Sequence, residues 1–195
     1  MMKMMLLALL LPVLCRAQGP KANAQSAAFQ DSVPQTSFYL KDRRVIFQKV
    51  YTSKLPQKEL SDKLFTLLNT TTGFRFDLDQ PSAADFYGQL CNYRFDRERY
   101  GATIFNSPIL LAIPINARVV VQVKDFKYRI TVSEVVFTDY SVQGSLIEEL
   151  LEKSVMEKGG SKFKIDKTSL KLANYLNTDF TSLFSLDRSA LTSDF

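Results

Sequence analysis

The chain has 195 residues, 46% of them hydrophobic and 12% aromatic, with a formal net charge of +5, two cysteines and no histidine. Such a length can bury a core, and 7 glycines and 7 prolines are too few for a fibrous or low-complexity protein. The lack of histidine excludes Ser-His and Cys-His nucleophile pairs and the usual zinc ligand sets, and the mild positive charge implies no particular partner.

The chain begins with Lys3, an apolar run from Met4 to Leu14, and Cys15-Arg16-Ala17 before Gln18. A positive head, a short apolar core and a small residue before a polar one describe a secretory signal peptide over residues 1–17, cleaved between Ala17 and Gln18. The run is shorter than the ~20 residues that cross a bilayer, so no transmembrane span is expected. The expected address is export: periplasmic, outer-membrane-associated or extracellular. In a lipoprotein alternative, Cys15 would become the lipidated first residue, although Leu14 stands where such signals want a small one. Cleavage removes Lys3 and Arg16, lowering the charge to +3, and leaves Cys91 as the only thiol, so no intrachain disulfide is expected.

Residues 18–37 are rich in Ala, Gln, Ser, Asn and Pro and read as a flexible tether. A domain is expected over 38–140, with order starting near Arg44, and a helical extension over 141–195. Val45 to Tyr51 is a β-branched and aromatic run that reads as a first strand. Pro56 suits the start of a helix, and Leu60, Leu64, Leu67 and Leu68 continue it at helical spacing to about Asn69. Phe74, Phe76 and Leu78 alternate with polar residues as a half-buried strand, and a longer strand is expected from about Ala84 to Phe95.

The clearest element is a hairpin. Val119, Val121 and Val123 alternate with Arg118, Val120 and Gln122; Tyr128, Ile130 and Val132 alternate with Arg129, Thr131 and Ser133. A two-residue turn at Asp125-Phe126 sets Val123 opposite Tyr128, Val121 opposite Ile130 and Val119 opposite Val132. Gln122 then faces Arg129, Val120 faces Thr131 and Arg118 faces Ser133. Ser145 and Glu148 form a capping-box pattern ahead of Leu146, Ile147, Leu150, Leu151 and Val155, which predicts a helix ending at Gly159-Gly160. A last helix from about Asp166 carries Leu172, Leu176, Phe180 and Leu183.

The segments Arg44–Val50, Lys58-Glu59-Leu60 and above all Val121–Val132, with its Lys124-Asp125-Phe126-Lys127-Tyr128-Arg129 core, resemble an exported Bacteroidetes domain-of-unknown-function family assigned a TATA-binding-protein-like (TBP-like) fold. The resemblance covers roughly residues 43 to 138. Phe126 stands where that family usually has a turn glycine, and the family's first-helix tryptophan is missing. The resemblance implies a fold and an envelope setting and brings no catalytic residues. The fold expected is therefore α+β: a β-α-β-β-β-β antiparallel sheet with helices on one face, plus two C-terminal helices.

Other patterns have ordinary explanations. Ser161-Lys162-Phe163-Lys164 matches the Ser-x-x-Lys pattern of penicillin-binding enzymes, but the further motifs and the larger domain are missing. Cys91 lies on a predicted strand and reads as a structural thiol. Asp77, Asp79 and Asp85 carry oxygen ligands of the kind calcium takes, without the glycine and distal glutamate of an EF-hand loop. Tyr93 to Tyr100 interleaves aromatic and basic residues, which suits nucleic acid, but its acids and an exported address argue for a strand end and loop. Ile104, Phe105, Ile109, Leu110 and Leu111 form an apolar cluster that folds back onto the core or, if exposed, contacts a partner or a membrane surface.

With no cofactor or nucleic acid indicated, the leading function is a non-enzymatic binding module, contacting an envelope protein or a small anionic ligand. Its candidate binding residues are Arg118, Gln122, Arg129 and Thr131, on one polar face of the sheet with Ser133. A small carboxylate-dependent hydrolase and a structural accessory subunit of an envelope complex are the competing classes. A convergent acidic cluster in a deep pocket would favour the hydrolase; a shallow face or an exposed apolar stripe would favour the others.

Overall fold

The computed structural model describes residues 31–77, 85–96, 107–140, 144 and 146–187. In chain order these form β1 (Phe38–Lys41), β2 (Arg44–Thr52), α1 (Gln57–Thr70), β3 (Phe74–Phe76), β4 (Asp85–Tyr93), β5 (Ile115–Lys124), β6 (Lys127–Tyr140), β7 (Leu146–Leu150), α2 (Leu151–Val155) and α3 (Lys167–Leu183). The strands make one antiparallel sheet in the order β1-β2-β6-β5-β4-β3, and β7 pairs with the far half of β6.

The β5–β6 hairpin is the centre of this sheet, and its pairing follows the alternation in the sequence. Val123 meets Tyr128, Val121 meets Ile130 and Val119 meets Val132 on the buried side, while Gln122–Arg129, Val120–Thr131 and Arg118–Ser133 lie on the other. Burying each such valine or isoleucine contributes about 1.5–3 kcal/mol relative to exposure. β2 extends the buried side through Phe47 opposite Val132 and Tyr51 opposite Tyr128, and β4 extends it through Phe86 and Leu90. Gly88 shares that side because nothing larger fits. A Cβ there would lie 2.5 Å from both the Arg75 carbonyl oxygen and a ring carbon of Phe74.

Two bulges keep the long strands in step. Asn92 in β4 and Glu134 in β6 have positive φ, 52° and 55°, and each inserts one residue against β5 near Ala117. The inward side therefore passes from Phe86 and Leu90 to Phe95 along the β4 path, and from Ile130 and Val132 to Val135 and Phe137 in β6. Asn116 ties the β4 bulge to β6: its Oδ1 accepts from the Asn92 backbone N–H at 2.8 Å, and its Nδ2 donates to Thr138 Oγ1 at 3.1 Å.

The helices α1 and α3 cover the buried side. Leu60, Leu64 and Leu68 of α1 point inward, and Phe65 stacks on Phe76 of β3 with 4.9 Å between ring centres. Asp166 caps α3, its Oδ1 accepting from the backbone N–H groups of Thr168 and Ser169 at 3.0 Å each. Those bonds, the one from Ser169 foremost, hold the Asp166 carboxyl below the usual carboxylate range. Phe180 of α3 reaches Phe47 of β2 at 5.4 Å and Phe38 of β1 at 6.3 Å, making an aromatic centre for the core.

The structure departs from the sequence reading at both ends. β1 is an additional strand, and Val33, in the segment expected to be a tether, is buried against the core. Asp31 anchors it, its carboxylate accepting from the Phe163 backbone N–H at 2.6 Å. The helix expected from Ser145 is instead strand β7 followed by the short α2. The reason is tertiary: β2 starts at Arg44, so β6 beyond Glu134 has an open edge that residues 146–150 satisfy by pairing. The turn at Gly159-Gly160 follows α2 after a β-bridge residue, Met156, which pairs with Phe163. The signal segment and the first part of the tether lie outside the described residues.

Candidate functional site

The side of the sheet away from the helices carries all four candidate residues, arranged in cross-strand rows. The first row holds Lys127 and Lys124, with Thr52 beyond. The second reads Val50, Arg129, Gln122, Asp85; the third Gln48, Thr131, Val120, Tyr87; the fourth Ser133, Arg118, Gln89, Arg75. Arg75, Arg118, Lys124, Lys127 and Arg129 are all exposed.

Two of the candidates are held together. Arg129 Nε donates to Gln122 Oε1 at 2.9 Å, and its Nη2 donates to the same oxygen. The guanidinium is thus fixed by one edge, and among the described residues Nη1 has no partner, which leaves that edge to a carboxylate or phosphate. Thr131 Oγ1 accepts from Gln48 Nε2 at 3.1 Å. Arg118 lies one row beyond Thr131, and neither it nor Arg129 makes an ion pair with any described residue. Tyr39 of β1 borders the same face; partial burial raises its hydroxyl pKa, and the charge of Arg129 lowers it in part.

The other sequence candidates serve the fold. Lys164 Nζ donates to the carbonyl oxygens of Lys153 and Ser154 at 3.0 and 3.2 Å, closing the end of α2, while Ser161 faces solvent. Tyr93 donates to Asp179 Oδ2 at 2.7 Å, tying β4 to α3, and Phe95 enters the core beside Phe180. Tyr93 and Phe95 are therefore turned inward, and residues 97–100 lie outside the described residues. Cys91 is a half-buried free thiol. Asp77 accepts from Gln89 Nε2 at 3.1 Å, and Asp79 lies outside the described residues. Among the described residues no group of three or more carboxylates or thiols is placed to share a metal ion. Of the apolar cluster, Leu111 is buried and Ile109 is 82% exposed, while Ile104 and Phe105 lie outside the described residues.

One feature had no sequence signal. A cleft of about 570 Å³ opens at the end of the sheet, lined by Tyr51, Ser53, Lys54, Tyr128, Ser185 and Asp187 among others. Beside it, Lys49 Nζ donates to Thr181 Oγ1 at 3.2 Å and lies 5.7 Å from the centre of the Tyr51 ring. Lys49 shares the helix-facing side with Phe47 and Tyr51, a place where alternation alone predicts an apolar residue.

With this geometry in hand, similar folds are informative. A solved TBP-like protein from Parabacteroides distasonis superposes over 76% of this chain and 96% of its own, with a TM-score of 0.52 at 12% identity. The fold is TBP-like. A DUF4468 family protein from Bacteroides ovatus aligns over 76% of this chain and 91% of its own, with a TM-score of 0.44 at 14% identity. No protein-family model matches the chain, nor does any curated protein sequence. Among the described residues, the helices of this α+β TBP-like sheet lie on one face, and the cross-strand rows of basic, amide and hydroxyl side chains lie on the other. Among the described residues no helix is long and apolar enough to cross a membrane.

Proposed function

We propose that this is an exported, non-enzymatic binding module of a Bacteroidetes envelope, holding an anionic partner on the open face of its sheet. The observation that carries the reading is the Arg129–Gln122 pair: a guanidinium held by a neutral amide oxygen, with no described carboxylate paired to it. Holding the group in place reduces the conformational entropy lost on binding. Arg118 supplies a second guanidinium on the same face, and Gln122 and Thr131 supply neutral hydrogen-bonding groups between them. Export is supported by the first 17 residues, and the envelope setting by the resemblance of Val121–Val132 to the exported family.

The test compares crosslinked envelope capture by the wild-type chain and by an Arg118→Ala, Arg129→Ala double variant, both confirmed as folded by their melting curves. Loss of the captured set from the variant is expected. An unchanged set would reject the open face. A second reading, as a structural accessory subunit, is favoured by one observation: Leu146, Ile147 and Leu150 of β7 are each more than half exposed. It predicts that charged substitutions in β7, and not in β5 or β6, abolish capture.

A further inference from the structure

The spacing of the cations on the open face says more than their sign. Along the hairpin they stand in the Lys127–Lys124 row, in the Arg129 row and in the Arg118 row, with the Thr131–Val120 row between the last two. Adjacent same-face rows are two residues apart, roughly 7 Å in an antiparallel strand. Measured in rows, the cations occupy positions zero, one and three. Position two is uncharged: Gln48, Thr131, Val120 and Tyr87.

Resting on the open-face reading, we infer that the ligand is an extended polypeptide segment lying along the hairpin, with acidic residues at i, i+2 and i+6 and an uncharged residue at i+4. An extended chain points every second side chain to one side at the same repeat as the sheet, so its carboxylates fall in register with the rows. A helix repeats at about 5.4 Å per turn and drifts out of step. A uniform polyanion, such as a nucleic-acid strand, would place a charge over Val120 and Thr131, where no cation answers it. The exposed Val50 and Tyr87 flank the file of cations on either side and suit apolar neighbours of the acidic positions.

The test uses the full mature chain and two labelled synthetic peptides of identical composition. One has three aspartates at i, i+2 and i+6; the other has the same three in consecutive positions. A single-stranded deoxythymidine oligomer of equal charge is the third probe, and anisotropy is the readout. The spaced peptide is expected to bind roughly two- to fivefold more tightly than the clustered one, as the one additional exposed ion pair to Arg118 would give. Arg118→Ala, an exposed change, should bring the spaced peptide down to the clustered level and leave the clustered one unchanged. Equal binding of the two peptides, both lost in the Arg118→Ala, Arg129→Ala variant, would overturn the spacing and leave the open face as the binding surface. Tighter binding of the oligomer than of the spaced peptide would overturn it in favour of a phosphate polymer. Peptide binding unaffected by either arginine would overturn both the spacing and the face.

Discussion

Tyr51 and Tyr128 lie face to face across β2 and β6, with 4.7 Å between ring centres and 3° between ring planes. Both hydroxyls hold the end of α3: Tyr51 donates to the Thr181 carbonyl at 3.1 Å, and Tyr128 donates to the Phe184 carbonyl at 2.9 Å. Tyr128 also accepts from the Leu186 N–H at 3.2 Å. The stacked pair therefore fastens the last turn of α3 to the sheet beside the basic first row.

Removing these hydroxyls should loosen that end. Tyr128→Phe, which removes the bonds to the Phe184 carbonyl and from the Leu186 N–H, is expected to cost about 1–2 kcal/mol in urea unfolding, and Tyr51→Phe about half as much. Burial, the largest cause for each, raises both hydroxyl pKa values well above the unfolded value of about 10. A raised folded pKa contributes stability that is present below pH 10 and lost as pH rises through the folded value. The melting temperature should hold up to about pH 10 and fall above it, and less steeply in the double Phe variant. Parallel curves for the two proteins would count against this role.

The hairpin register makes opposite demands on its two sides. Val121→Asp or Ile130→Asp buries a charge without a partner and should cost about 3–5 kcal/mol. Arg129→Ala, on the exposed side, should cost less than about 0.5 kcal/mol. Chemical denaturation of the three variants settles the comparison; equal losses would mean that the two faces had been interchanged.

Phe126 has a φ of 62° at the tip of the hairpin and is 56% exposed. Its N–H donates to the Leu55 carbonyl and its carbonyl accepts from the Ser53 N–H, so the backbone is held in this shape. Phe126→Gly should relieve the strain and raise stability by about 1 kcal/mol, seen as a higher denaturant midpoint at an unchanged slope. A lower midpoint would show that the ring makes a contact worth more than the strain.

Export predicts a mature protein that starts at Gln18. Intact-mass measurement of the secreted form should give that mass, and an uncleaved chain or a diacylated Cys15 would reject it.

Period-two alternation made the β5–β6 hairpin legible, and with it the shared face of Arg118, Gln122, Arg129 and Thr131. It could not show that Gln48, Tyr39 and Tyr87 border the same face, because strand order is set by distant partners. Leu146, Ile147, Leu150 and Leu151 suit a helix by spacing alone. Only the unpaired stretch of β6 turned the first five residues of that segment into β7. Val33 escaped notice for a similar reason: a single valine among polar residues has no period, and its segment is held by distant bonds such as that from the Phe163 N–H to Asp31.

The extra residues at Asn92 and Glu134 give this sheet something like a reading frame. Absorbing Glu134 into a regular ladder, with no residue removed, would turn the rest of β6 over, sending Val135 and Phe137 into water and Val136 inward. Deleting it would close the bulge and leave Val135 opposite Ala117 and Phe137 opposite Ile115, still facing inward. Deleting Asn92 would likewise close the bulge in β4 and keep Tyr93 opposite Ile115, with Phe95 still on the inward side. Elsewhere in β4 and β6 the loss of one residue would turn the side chains beyond it over, so Asn92 and Glu134 are the two strand positions, outside the turns, where a single deletion should be tolerated.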